Sequence, residues 1–125
     1  MPNICVIQFN VSDMDEAIDF YGSKLGFGIK SKEYYPDLVQ LEHEGTYTLL
    51  CKVDRPAQID YPNVAQTLIN IQVPDLKKTM ADLKSKGVEF IHAEPQTCPA
   101  GIYAAIRDPA GNVMELLEFG GKADS

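Results

Sequence analysis

The feature that most limits how this chain can fold is a repeat spanning half its length. QFNVSDMDEAIDFYGSK, from Gln8, lies over NIQVPDLKKTMADLKSK, from Asn70, so that Val11, Asp13, Ser23 and Lys24 recur 62 positions later as Val73, Asp75, Ser85 and Lys86. After a slip of one residue, Gly26 matches Gly87. A tandem array needs three or more units to bury its faces, so two copies predict two modules within one domain. At 125 residues the chain fits one domain that buries roughly two-thirds of its unfolded surface.

Each copy has the same local signals. Ile7, Phe9 and Val11 alternate with Val6, Gln8 and Asn10, and Ile69, Ile71 and Val73 alternate with Leu68, Asn70 and Gln72, the pattern of a strand between two environments. Asp13 and Asp75 follow as helix N-caps, with Glu16 completing a capping box after Asp13. Ala17, Ile18, Tyr21 and Leu25 form one helical stripe and Leu76, Met80 and Leu83 the other, with Gly26 and Gly87 as stop signals. Three strands follow each helix: about residues 27–32, 38–44 and 46–53, then about 89–93, 103–107 and 113–119. The predicted order is βαβββ twice, with module one at about 1–53, a linker at about 54–63, module two at about 64–119 and a tail at 120–125. The apolar strand faces must meet the helix stripes, which leaves Gln8, Asn10, Asn70 and Gln72 looking away from them.

A formal charge of -7 excludes the basic face that nucleic acid or an anionic membrane would need, and suits a neutral or cationic small molecule. Cys5, Cys51 and Cys98 lack disulfide or zinc-ribbon spacing, and no segment has the roughly 20 apolar residues of a membrane span, so a reducing cytoplasm is expected.

NVSDMDEAIDFYGSKLGF at 10–27, VPDLKKTMADLKSKGVEF at 73–90 and RDPAGNVMELLEF at 107–119 resemble the vicinal oxygen chelate superfamily, which includes glyoxalases, bleomycin-resistance proteins and extradiol dioxygenases. The resemblance implies an α+β fold: two tandem βαβββ modules forming a curled mixed sheet around a cleft, with the helices outside. It also implies a homodimer. In the metal-dependent members the first and last strands of each module supply ligands to the cleft. The pattern DPxGNxxEL places one on Glu115, four residues past Gly111. The same register gives Leu49 after Gly45, and Val6 and Leu68 five residues before the two VxD valines. Three of four positions are aliphatic, and one carboxylate does not make an oxygen-chelating centre, so neither metal nor cofactor is expected. His43 and His92 fall outside the ligand register, and Cys51 reads as a buried, inert thiol.

Glu115 interrupts an apolar strand run and needs a partner, for which Gln8, Asn70, Tyr47 or a water are the candidates. It reads as a structural remnant, as a polar anchor in an apolar pocket, or as a general base in a metal-free enzyme. Of the tyrosines outside the helices, Tyr47 and Tyr103 have pocket positions, whereas Tyr34, Tyr35 and Tyr61 do not. Val6, Gln8, Asn10, Tyr47, Leu49, Leu68, Asn70, Gln72, Tyr103 and Glu115 are thus the expected ligand-binding set, with an aromatic or cationic small organic molecule as partner. The expected function is metal-free, bleomycin-resistance-like binding. A glyoxalase-type lyase or dioxygenase, metal-dependent or using Glu115 as base, is the alternative. PQTCPAG at 95–101 reads as a loop, a connection or a lid at the cleft mouth.

Overall fold

The structure is a computed structural model and describes residues 1–65 and 67–122. It is α+β, with two sheets and two α-helices among the described residues. The chain divides into two compact units: Met1–Gln58 with Pro109–Asn112, and Ile59–Asp108 with Val113–Ser125. The proline-bearing segment 54–63 is therefore shared between them, with residues from Ile59 onward belonging to the second unit.

In the first unit β1 (Val6–Val11), β2 (Gly28–Ser31), β3 (Leu38–Glu42) and β4 (Tyr47–Lys52) form a sheet in the order β1-β4-β3-β2. β1 runs parallel to β4, while the other pairs are antiparallel. Between β1 and β2 lies α1 (Met14–Ile18), continued by a π-helical turn, Asp19–Lys24. The alternation along β1 is realised directly: Phe9 and Val11 are buried and Gln8 and Asn10 exposed. Phe9 stacks on Tyr21 at 5.0 Å, and Phe20 meets the same ring edge-on. Met14, Ala17, Val39, Leu41 and Leu50 complete this core.

In the second unit β5 (Ile69–Gln72) is followed by α2 (Leu76–Ser85), β6 (Glu89–Phe90), β7 (Gln96–Cys98), β8 (Gly101–Arg107) and β9 (Val113–Phe119). The sheet order is β5-β9-β8-β6, with β7 also pairing with β8, and β5 runs parallel to β9. Leu76, Met80 and Leu83 are buried, as their helical spacing requires, and α2 packs on β8 and β9. Asn70 and Gln72 are exposed. Gln96–Cys98 pairs antiparallel with Gly101–Tyr103, so the segment read as a loop or lid is in part a strand. Its backbone groups gain ladder partners that the flanking Pro95 and Pro99 had masked.

The two helices differ at their ends, and the one-residue slip in the repeat explains how. In α2 the stop is a Schellman-type closure: Val88 N–H donates to Leu83 C=O at 3.0 Å, past Gly87 at φ +81°. In the first unit the equivalent bond runs from Phe27 N–H to Tyr21 C=O at 2.9 Å and encloses one residue more. The wider π turn takes up that extra residue. It also rotates the stripe: Phe20 and Tyr21 are buried, while Ile18 and Leu25, expected in the stripe, are half-buried. Among the described residues no helix is long and apolar enough to cross a membrane.

Candidate functional site

Strand parity decides which side chains share a face. In the first unit β1 and β4 are in parallel register, with Val6 beside Tyr47, Gln8 beside Leu49 and Asn10 beside Cys51. These residues occupy the sheet face opposite the helix core. Val6 and Tyr47 are exposed, Leu49 is half-buried, and the Gln8 side-chain amide donates to Asn10 Oδ1 at 2.7 Å. The Cys51 thiol is pushed above its ordinary pKa by burial, which suits an inert side chain better than a nucleophile.

In the second unit β5 and β9 bring Asn70 beside Glu115 and Gln72 beside Leu117. β8 adds Tyr103 opposite Leu117 and Ala105 opposite Glu115. Leu68, half-buried, precedes β5 on the same parity. The predicted residues thus gather as two faces: Val6, Gln8, Asn10, Tyr47 and Leu49 in one unit, and Leu68, Asn70, Gln72, Tyr103 and Glu115 in the other.

Glu115 is half-buried on β9, and its side-chain partner is not Gln8, Asn70 or Tyr47. Tyr61 Oη donates to Glu115 Oε2 at 2.6 Å, while Gln8 is engaged with Asn10. Tyr61 falls in the predicted linker, 54–63, and sequence assigns it no pocket position. The only signal for it was the need of a half-buried carboxylate for a donor. Burial first, and then the hydrogen bond to Glu115, hold the Tyr61 phenol well above the ordinary tyrosine range, so it remains a donor at neutral pH.

His92 completes the cluster. Its ring meets Tyr61 edge-on at 5.5 Å and Tyr103 edge-on at 5.6 Å. The Ala105 backbone N–H donates to His92 Nδ1 at 3.0 Å, which leaves the proton of the neutral ring on Nε2. His92 lies between β6 and β7, and its contacts with Tyr103 and the Ala105 N–H place its ring over β8. Arg107, on the same parity of β8 as Tyr103 and Ala105, pairs with Glu89 at 3.1 Å and donates from Nη1 to the Ile59 carbonyl at 3.0 Å. It thereby fixes the backbone two residues before Tyr61. His43, by contrast, lies elsewhere: its Nδ1 accepts from Gly45 N–H and its Nε2 bonds the buried hydroxyl of Thr48.

The chemistry of this donor set can be set against the divalent centre of the metal-dependent members. Among the described residues no three His, Cys, Asp or Glu side chains group to hold a metal. Around Glu115 its own unit offers two phenols and an imidazole whose Nδ1 is committed to the backbone. One carboxylate and one imidazole fall short of the three protein ligands of a catalytic divalent site. Together these groups present a carboxylate oxygen bonded to a phenol, with a row of aromatic rings adjoining that phenol.

Comparison with known proteins agrees with the architecture. The model of the Glyoxalase/Bleomycin resistance protein/Dioxygenase superfamily matches residues 3–116. An uncharacterised Bacillus subtilis protein, YurT, is 30% identical over 128 residues, covering 92% of this chain and 98% of that one. TnmS3, an antibiotic-binding protein from Streptomyces, superimposes with a TM-score of 0.69 at 26% identity over 95% of this chain and 97% of its own. A lactoylglutathione lyase from Agrobacterium tumefaciens gives 0.71 at 23% identity, covering 93% and 92%. Two units that each run strand, helix and then further strands, with the family match over nearly the whole length, lead to one conclusion: the chain belongs to the Glyoxalase/Bleomycin resistance protein/Dioxygenase superfamily.

Proposed function

We propose that the protein is a metal-free small-molecule-binding member of its superfamily, and that its ligand is a cationic aromatic compound. Glu115 is the charge anchor, and Tyr61, His92 and Tyr103 provide aromatic contact. The observation that carries this reading is the state of Glu115: one oxygen accepts from Tyr61, whose ring begins a row of three in edge-to-face contact. A carboxylate attracts a cation, and aromatic faces add attraction for the same charge. The chain's charge of -7 favours approach of such a ligand. The structural likeness to an antibiotic-binding protein supports a binding role, while the donor set around Glu115 gives none to metal-assisted lyase or dioxygenase chemistry.

The test is a thermal-shift screen of aromatic amines against neutral aromatic isosteres on the native protein and on Glu115→Gln, with urea melts of both. Amines should stabilise the native protein more than their isosteres and lose at least about tenfold in affinity on Glu115→Gln, one charge-assisted interaction. Stability should change by no more than about 1 kcal/mol, since the amide oxygen still accepts from Tyr61. A loss of about 1–3 kcal/mol with an unchanged set of hits would make the carboxylate structural and remove the proposal.

A further inference from the structure

Resting on that reading, we infer that Arg107 is a positioning residue of the site: through the Ile59 carbonyl it holds the segment that carries Tyr61, and so sets the place of the Tyr61 ring and hydroxyl beside Glu115. Tyr61 lies in no strand or helix, so no sheet ladder fixes it. Its hydroxyl donates to Glu115 Oε2 at 2.6 Å, and its ring meets His92 edge-on at 5.5 Å. Both contacts depend on where the backbone before it runs. That backbone is held at the Ile59 carbonyl, which accepts from Arg107 Nη1 at 3.0 Å.

The guanidinium that makes this bond is itself anchored. Glu89 stands directly opposite Arg107 in the β6–β8 pair, and its Oε2 lies 3.1 Å from Arg107 Nε. One planar fork therefore joins β6, β8 and residue 59, a geometry that the compact ammonium of a lysine does not reproduce. The register of β8 on β9 gives this arrangement a diagnostic sign. Arg107 is opposite Val113 and Ala105 is opposite Glu115, so Arg107 and Glu115 are diagonal neighbours on one face, within reach of a long side chain. As a mere positive charge, Arg107 would repel a cationic ligand from Glu115, and its removal would strengthen binding. As the hold on Tyr61, its removal weakens binding.

Benzylamine is the probe, read by NMR titration on the native protein, Arg107→Met and Arg107→Lys, with the spectrum of each variant reporting its fold. Arg107→Met should weaken benzylamine at least about threefold, the scale of one hydrogen bond, and Arg107→Lys by a smaller factor. In a Tyr61→Ala background Arg107→Met should weaken it no further, because the route through Tyr61 is gone. A second readout needs no ligand: the pH titration of Tyr61, followed at the tyrosine Cζ resonance that Tyr61→Phe removes. Burial and the Glu115 hydrogen bond delay that titration in the native protein, so loss of the hold should advance it toward free tyrosine, whereas loss of a positive charge alone would delay it further. Arg107→Lys should advance it less than Arg107→Met, and decides alone if Arg107→Met does not fold. A Tyr61 titration unmoved or delayed in the folded variants, a gain in benzylamine affinity, or an equal loss in the Tyr61→Ala background overturns the inference. An advanced titration with no binding of benzylamine to the native protein removes the anchor reading and leaves the hold of Arg107 on Tyr61 standing.

Discussion

The two sheets place different chemistry at one register position. Gln8 on β1 lies beside Leu49 on β4, and Asn70 on β5 lies beside Glu115 on β9, so Leu49 and Glu115 are structural equivalents in the two halves of the repeat. In the first unit the polar side chains around that point satisfy each other within β1, through the Gln8–Asn10 bond. In the second, the carboxylate takes its donor from Tyr61, which lies outside the repeated segments. The repeat thus supplies two equivalent scaffolds, while the candidate site depends on one substitution at an open-face position and on one non-repeated segment that answers it.

That equivalence is most severely tested in the cores. Leu50 and Leu116 are partners of Phe9 and Ile71 in the parallel pairs β1–β4 and β5–β9, and they are 0% and 1% exposed. Truncation of either to alanine should cost about 2–5 kcal/mol, the transfer of the lost atoms plus the cavity left behind. Denaturant melts of Leu50→Ala and Leu116→Ala should fall within about 1.5 kcal/mol of each other, the tolerance expected for similar but not identical packing. A loss confined to one of them would break the comparison at its base.

The turns that lead into β4 and β9 should separate the two halves by a smaller amount. Gly111 has φ +86°, and a Cβ there would run into the Ala57 carbonyl, part of a contact in which Ala57 N–H donates to Ala110 C=O at 2.6 Å. Gly45, its counterpart, has no positive φ, and a Cβ there would meet the His43 ring, a side chain that can move. Gly111→Ala should therefore destabilise by more than about 1 kcal/mol, from strain and backbone clash together. Gly45→Ala should cost less, and should act chiefly by displacing His43 from Gly45 N–H. Equal losses in thermal melts would mean that the two turns are equivalent after all.

What could be read from sequence follows the same division between local and distant causes. The helix starts were legible because capping is local chemistry: Asp13 accepts from Glu16 N–H and Asp75 from Lys78 N–H, each at 3.1 Å. Strand faces were legible because period-two alternation fixes them, as the buried Phe9 and Val11 beside the exposed Gln8 and Asn10 illustrate. Glu115 was visible because a carboxylate in an apolar run contradicts its surroundings. Tyr61 was not, because it has no periodic context and meets Glu115 54 positions away. His92 was discounted on ligand register, which says nothing about a ring held by the Ala105 N–H. The π turn had left a trace, the one-residue slip before Gly26, but a stripe drawn at helical spacing continued straight through it and chose Ile18 and Leu25 over Phe20.

The smallest expected effect concerns the hydroxyl that makes the second unit differ from the first. The Tyr61 pKa lies above the ordinary 10.0, so the folded state holds this proton more tightly than the unfolded chain does. For a raised value, the associated stability is fully present below the unfolded pKa and is lost as pH climbs above it toward the folded one. Urea melts should therefore show a constant difference between the native protein and Tyr61→Phe from pH 7 up to about 10, narrowing or reversing above that point. The native protein should also show one more late-titrating phenol by ultraviolet absorbance than Tyr61→Phe does. Glu115→Leu, which installs the residue of the first unit at the equivalent position, should lower that late titration, because it removes both the hydrogen bond and the negative charge. Burial, the largest cause of the shift, remains in that variant, so Tyr61 should still titrate above free tyrosine. If the difference between the native protein and Tyr61→Phe already fades between pH 7 and 9, the phenol is not held on the carboxylate, and the contrast between Leu49 and Glu115 reduces to an exposed charge.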